Sequence, residues 1–113
     1  MVDTDFAGAK MAQADLFQAL ADPKRILILY ALEEQPRHVT ALAEDLGLPQ
    51  PTVSRHLRTL RQQSLVIGRR HGQAVVYALA DERIVEILDA MQEVVLETTI
   101  RQPDTAGNSG RQV

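Results

Sequence analysis

The chain contains no cysteine and no tryptophan, and its only aromatic residues are Phe6, Phe17, Tyr30 and Tyr77. The missing thiols exclude disulfides, thiolate zinc sites and sensing of persulfide or peroxide through cysteine. So few aromatic rings do not furnish a stacking platform for single-stranded nucleic acid. No apolar run approaches the ~20 residues of a membrane span. The N-terminus carries Asp3 and Asp5 and has no signal-peptide pattern, so a cytoplasmic protein is expected. A length of 113 residues suits one domain with a modest core, which often gains stability by pairing with a second copy. There is no Gly-rich phosphate loop and no nucleophile beside a base. The three histidines, His38, His56 and His71, lie in or near a basic region, and an enzyme is not expected.

What is present is a concentration of positive charge in an otherwise acidic chain. The net charge is −3, from 12 basic and 15 acidic residues. Within 46–80, however, there are five arginines (Arg55, Arg58, Arg61, Arg69 and Arg70) and no Asp or Glu. All fifteen acidic residues lie outside that window. A third of the chain that collects cations in this way is directed at a polyanion.

Hydrophobic spacing predicts mostly helical structure with a small β-hairpin, an α+β arrangement. A flexible segment is expected over 1–6, a folded domain over 7–100 and a disordered tail over 101–113, where apolar periodicity stops. The first helix, about 7–21, places Met11, Leu16, Phe17 and Leu20 at helical spacing. Asp22-Pro23 reads as an N-cap with proline at the first helical position, opening a second helix that stops before Pro36. A short extended piece, 37–39, precedes a third helix over 41–46, which Thr40 would cap and Gly47 would end. After the link Gly47-Leu48-Pro49 a fourth helix runs over 50–63. Two helices joined by so tight a Gly-containing turn form a helix-turn-helix. Pro49 offers no side-chain oxygen as a cap. Runs rich in Val, Ile and Tyr over 65–69 and 74–79 flank Arg70-His71-Gly72-Gln73 and predict a hairpin. A last helix, capped by Asp81, extends to about Ile100.

At about 100° per residue, Val53, Leu57 and Leu60 of the fourth helix fall within about 60° of arc and form its buried stripe. Arg55 and Arg58 lie opposite, Ser54 and His56 on the shoulders, and Gln50 and Thr52 in the first turn. One stripe anchors such a helix while the other presents hydrogen-bonding side chains to base edges in the major groove. Any solvated amphipathic helix shows part of this pattern. The hairpin that follows decides the matter, because Arg69 and Arg70 make it basic too, as a wing reaching backbone phosphate or the minor groove would be. The expected DNA-contacting residues are Gln50, Thr52, Ser54, Arg55, His56, Arg58, Arg69 and Arg70. Arg61, nearer the buried side, is expected to find a partner within the chain.

Three stretches now resemble one family. Phe17-Gln18-Ala19-Leu20-Ala21-Asp22-Pro23-Lys24-Arg25-Ile26-Leu27-Ile28-Leu29 is similar to the opening signature of the ArsR/SmtB winged helix-turn-helix regulators. Gln50-Pro51-Thr52-Val53-Ser54-Arg55-His56-Leu57-Arg58-Thr59-Leu60 resembles their recognition helix, and Gly68-Arg69-Arg70-His71-Gly72-Gln73 with Tyr77 resembles their wing. The resemblance spans about 12–97. It implies a homodimer formed through the first and last helices, bound to an inverted-repeat operator as a repressor that an inducer releases. Independently, Ile84, Ile87, Leu88, Met91, Val94 and Val95 cover an arc of about 120° on the last helix, opposite an acidic stripe. With Leu16 they are the expected dimer interface.

Many members of this family sense metals, and their ligand positions are altered here. Where a cysteine pair would open the third helix, this chain has His38 and Thr40, and a lone His is not a soft-metal site. The site that would bridge the last helices falls on Asp81, Arg83, Val94 and Glu97, with both histidines replaced. No metal and no cofactor is therefore expected, and three kinds of control stay open: an unknown small-molecule inducer, constitutive DNA binding, or a partner protein. Two alternatives are a nickel-, zinc- or cobalt-responsive regulator with a nonstandard site using His38, Asp15 or other carboxylates, and a protein-interaction module that has lost DNA.

Overall fold

The computed structural model describes residues 2–101, with side chains described for 6–100. The elements run α1 (Val2–Leu20), α2 (Pro23–Glu34), β1 (Arg37–His38), α3 (Val39–Leu46), α4 (Gln50–Gln62), β2 (Val66–His71), β3 (Ala74–Leu79) and α5 (Arg83–Arg101). The chain falls into two compact units, divided in sequence between Glu82 and Arg83. The first holds α1 to α4 and the sheet; the second is α5. The tail expected over 101–113 lies, beyond Arg101, outside the described residues. No helix among the described residues is long and apolar enough to cross a membrane.

The first unit is a winged helix-turn-helix. Its core is a set of aliphatic side chains from consecutive elements: Ile28, Leu29 and Leu32 of α2, Leu42 of α3, Val53, Leu57 and Leu60 of α4, and Leu65 and Val66 at the start of β2. Each helical position falls on the apolar stripe of its own helix, so burying them together fixes how α2, α3 and α4 pack. The sheet is antiparallel in the order β1-β3-β2. Arg37 pairs with Tyr77 and His38 with Val76 across β1 and β3. The longer ladder runs from Val66↔Leu79 to His71↔Ala74.

Local chemistry sets the boundaries. Asp22 caps α2 in extended conformation (φ −157°, ψ 123°), and its carboxylate accepts from the backbone N–H groups of Lys24 at 2.8 Å and Arg25 at 3.4 Å. Gly47 ends α3 at φ +66°. Leu48 N–H donates to the Ala43 carbonyl at 3.0 Å and Gly47 N–H to that of Glu44 at 3.3 Å, the paired bonds of a Schellman end. α4 ends in the same way around Ser64 (φ +58°), with Leu65 N–H on Leu60 O at 2.9 Å and Ser64 N–H on Arg61 O at 3.0 Å.

Several expected boundaries move. α1 is helical from Val2 rather than from residue 7, so most of the segment expected to be flexible over 1–6 continues the helix, because no proline or glycine interrupts 2–7. α3 starts at Val39, and its N-cap is His38 without a side-chain bond, not Thr40. The backbone of 37–38 is committed to pairing with β3, which leaves the helix to begin directly after it. β2 continues through Arg70 and His71, so the hairpin turn narrows to Gly72-Gln73, with Gly72 at φ +64°. α4 ends at Gln62, one residue early.

Candidate nucleic-acid interface

The α3–α4 pair presents its second helix outward. Pro49 stands at the N-cap, and its carbonyl accepts the N–H groups of Thr52 at 3.0 Å and Val53 at 3.1 Å. Pro51 carries no N–H, which removes one of the donors a helix start leaves unpaired. Gln50, Ser54, Arg55 and Arg58 are exposed, Thr52 is half-buried, and Val53, Leu57 and Leu60 are buried. The stripe that anchors the helix and the face that is free are those the spacing predicts. Arg69 and Arg70 on β2 are also exposed. Successive strand residues alternate between sheet faces, so these two cations project to opposite sides of the wing.

His56 departs from the expectation that it contacts DNA. It is only 7% exposed. Its Nδ1 stands 3.3 Å from Nη1 of Arg25. A guanidinium only donates, so Nδ1 accepts, and the ring is neutral with its proton on Nε2. Burial depresses its pKa below the ordinary value; the Asp22 carboxylate opposes this, while Arg25, Arg55 and Lys24 reinforce it. The position was legible: His56 lies only about 60° around the helix from Val53, toward the core.

Arg25 is a residue the sequence reading left without a role. Its Nε donates to the Ala19 carbonyl at 2.5 Å and its Nη2 to the Gln18 carbonyl at 3.2 Å, while Asp22 Oδ2 lies 3.9 Å from Nη1. One guanidinium thus joins the terminal carbonyls of α1, the cap of α2 and the buried side of the outward-facing helix. No local spacing signals this role, since the contact with His56 spans 31 residues of sequence. A second arginine, Arg37, ties β1 to its neighbours through ion pairs with Glu34 at 2.8 Å and with Asp45, leaving its buried Nε without a partner.

Arg61 also departs from expectation. It is exposed, and no ion pair or side-chain hydrogen bond among the described residues engages it. Of the residues expected at a dimer interface, Leu16 and Ile84 are half-buried, and Ile87, Met91, Val94 and Val95 are exposed, between 43% and 59%. Leu88 is the correction: it is 5% exposed in the single chain, which leaves little of it for a partner. Leu96 and Ile100 are exposed too, but at about 100° per residue they fall on the opposite, acidic side of α5.

The family's metal positions do not fit a metal. Arg83 is a fixed cation, Val94 has no donor atom, and Asp81 and Glu97 alone do not complete a coordination shell. His38 is exposed at the start of α3. Among the described residues no group of three His, Asp or Glu side chains is placed to hold an ion.

The tight α3–α4 turn, the exposed polar face of α4 and the basic hairpin define a winged helix-turn-helix DNA-binding protein. The bacterial regulatory protein, arsR family, matches residues 22–67. The chain is similar to the HTH-type transcriptional regulator NmtR of Mycobacterium tuberculosis, 46% identical over 67% of this chain and 63% of that protein. It is also similar to the HTH-type transcriptional regulator CmtR of Mycobacterium bovis, 42% identical over 84% of this chain and 80% of that one. Among solved structures it resembles the homodimeric winged helix-turn-helix DNA-binding domain of a possible ArsR-family regulator from Mycobacterium bovis. That likeness has a TM-score of 0.73 and 32% identity, covering 81% of this chain and 85% of the other. The chain belongs to the ArsR family of bacterial regulatory proteins, and it spans less than two thirds of the length of NmtR.

Proposed function

We propose that this regulator is a dimeric repressor that binds an inverted-repeat operator and is released by an inducer other than a metal at the usual family sites. The observation that carries the reading is the free face of α4. Gln50, Ser54, Arg55 and Arg58 are all exposed there, and Arg69 and Arg70 of the wing add charge with no acidic residue between the two elements. Arginine pairs bidentately with guanine and glutamine with adenine, whereas Ser and Thr are more permissive, so this face is equipped to read sequence. The wing arginines supply charge for phosphate, which positions without specifying. Pairing through α1 and α5 is supported by their exposed apolar side chains, Met11 and Phe17 on the first and Met91, Val94 and Val95 on the second. The non-metal inducer rests on Arg83 and Val94, which stand where ligands would be needed. A cytoplasmic location follows from a role on DNA.

The test is fluorescence anisotropy of the purified protein on its own upstream region at fixed salt, with EDTA and then with zinc, nickel or cobalt. Tight binding that no metal changes is the expected result. Binding that a metal strengthens or abolishes would overturn the non-metal inducer, and no binding at low salt would overturn the regulator's proposed operator.

A further inference from the structure

Between α4 and the central strand β3 lies a notch of about 260 Å³, lined by Ser54, Leu57, Arg58, Arg61 and Tyr77. Its polar lining is two guanidiniums and two hydroxyl-bearing side chains, with no carboxylate. Neither Arg58 nor Arg61 is neutralised by an ion pair among the described residues. Ser54, Arg58 and Arg61 stand four and three residues apart, so they form one ridge of the helix facing the same way. Leu57 closes the floor and is buried.

The opposite wall depends on a glycine. Tyr77 pairs with Gly68 across the β2–β3 ladder. A Cβ on residue 68 would stand 3.2 Å from Cε1 of Tyr77 and 3.1 Å from Cγ1 of Val75, tighter than ordinary contact. The bare Gly68 backbone therefore lets the Tyr77 ring lie down over β2, where Tyr77 lines the notch.

We propose that this notch seats a backbone phosphate of duplex DNA at the junction of helix and wing, with Arg58 and Arg61 supplying charge and the Ser54 and Tyr77 hydroxyls hydrogen bonds. The ligand class follows from the lining: an anion, hydrogen-bonded from several directions and offered no base-reading amide. The notch shares Ser54 and Arg58 with the face proposed to enter the groove, so a duplex docked there brings its backbone to the notch. This assignment rests on the operator-binding reading above. It turns Arg61 and Tyr77 into positioning residues for DNA and makes Arg58 a phosphate contact rather than a base contact.

The experiment compares the full chain with Arg61→Ala, Arg61→Lys and Tyr77→Phe by anisotropy, on the operator and on an unrelated duplex, across a range of salt. Arg61→Ala should weaken both duplexes by the same factor and lower the slope of log affinity against log salt by about 0.9 per protomer. Arg61→Lys should restore the slope. Tyr77→Phe keeps the ring and should cost roughly two- to tenfold on both duplexes. Unchanged affinity and slope in Arg61→Ala, with wild type binding normally, would overturn the notch and leave the operator reading standing. A change in sequence preference would overturn it too, since phosphate contacts carry none. Saturable binding of inorganic phosphate that Arg61→Ala abolishes, without effect on DNA, would assign the notch to a free anion instead. A wild type that binds no duplex at low salt would fail both readings together.

Discussion

Residue by residue, the helix ends show how one backbone shape is served by different side chains. Gly47 and Ser64 both sit at positive φ in the same pair of terminal hydrogen bonds. Only glycine adopts that conformation without strain from its Cβ. Gly47→Ala has open space around the added methyl, so its cost is purely backbone and should be about 1 kcal/mol. Ser64→Gly relieves strain and should not destabilise. Urea unfolding at fixed protein concentration checks both, and an equal loss in the two variants would contradict the argument. At the start of α2, Asp22→Ala removes the acceptor for two backbone donors and should cost about 1 kcal/mol.

His56 gives the residue scale a pH dependence. Its folded pKa is lowered, chiefly by burial, while in the unfolded chain it titrates near the ordinary 6.5. Below that value the unfolded chain binds the proton more readily, so acid favours unfolding. The stability is fully present above about 6.5 and is lost as pH falls through the lower folded value. The groups that set this balance are Asp22, Lys24, Arg25 and Arg55. Imidazole resonances followed by NMR should place His56 below the ordinary value. A midpoint at or above it would mean that Nδ1 does not accept from Arg25.

At the scale of elements, α4 and the wing divide the work of binding. Arg55→Ala should relax base preference, at about 1–3 kcal/mol of discrimination for a bidentate arginine contact. Arg69→Ala and Arg70→Ala should weaken all duplexes about equally and flatten the salt dependence. Titration against a panel of single-base operator variants separates the two, and wing variants that changed base preference would reverse the assignment. These elements were legible because their signals are local. The Val53, Leu57 and Leu60 stripe, the Asp22-Pro23 start and the Gly47 end each need only a few neighbouring residues. What was missed is long-range. The Arg25 contact joins residues 31 apart in sequence, and no spacing pattern encodes it. The shift of the α3 start to Val39 likewise comes from β1 pairing with β3, some 40 residues on. Arg61 was misplaced because helical angle alone does not show that its neighbour is an open notch rather than a packed wall.

For the whole molecule, the decisive quantity is apolar surface left uncovered in the single chain. α5 exposes Ile87, Met91, Val94 and Val95 along one face, and α1 exposes Phe6, Met11 and Phe17. Isolated exposed apolar residues are ordinary, but a helix face of them is what a partner covers. A dimer would also set two recognition helices a fixed distance apart, matching half-sites one helical turn apart. Met91→Glu or Val95→Glu puts a carboxylate into that face, and neither position is buried. Each variant should keep its helical circular dichroism yet sediment as a monomer at micromolar concentration. Its affinity for the full operator should fall by about 100-fold or more, because the second half-site no longer benefits from being tethered to the first. Affinity for an isolated half-site should hardly change. A monomeric variant that still bound the full operator as tightly as wild type would show that one protomer suffices, and would place the exposed face of α5 outside DNA recognition altogether.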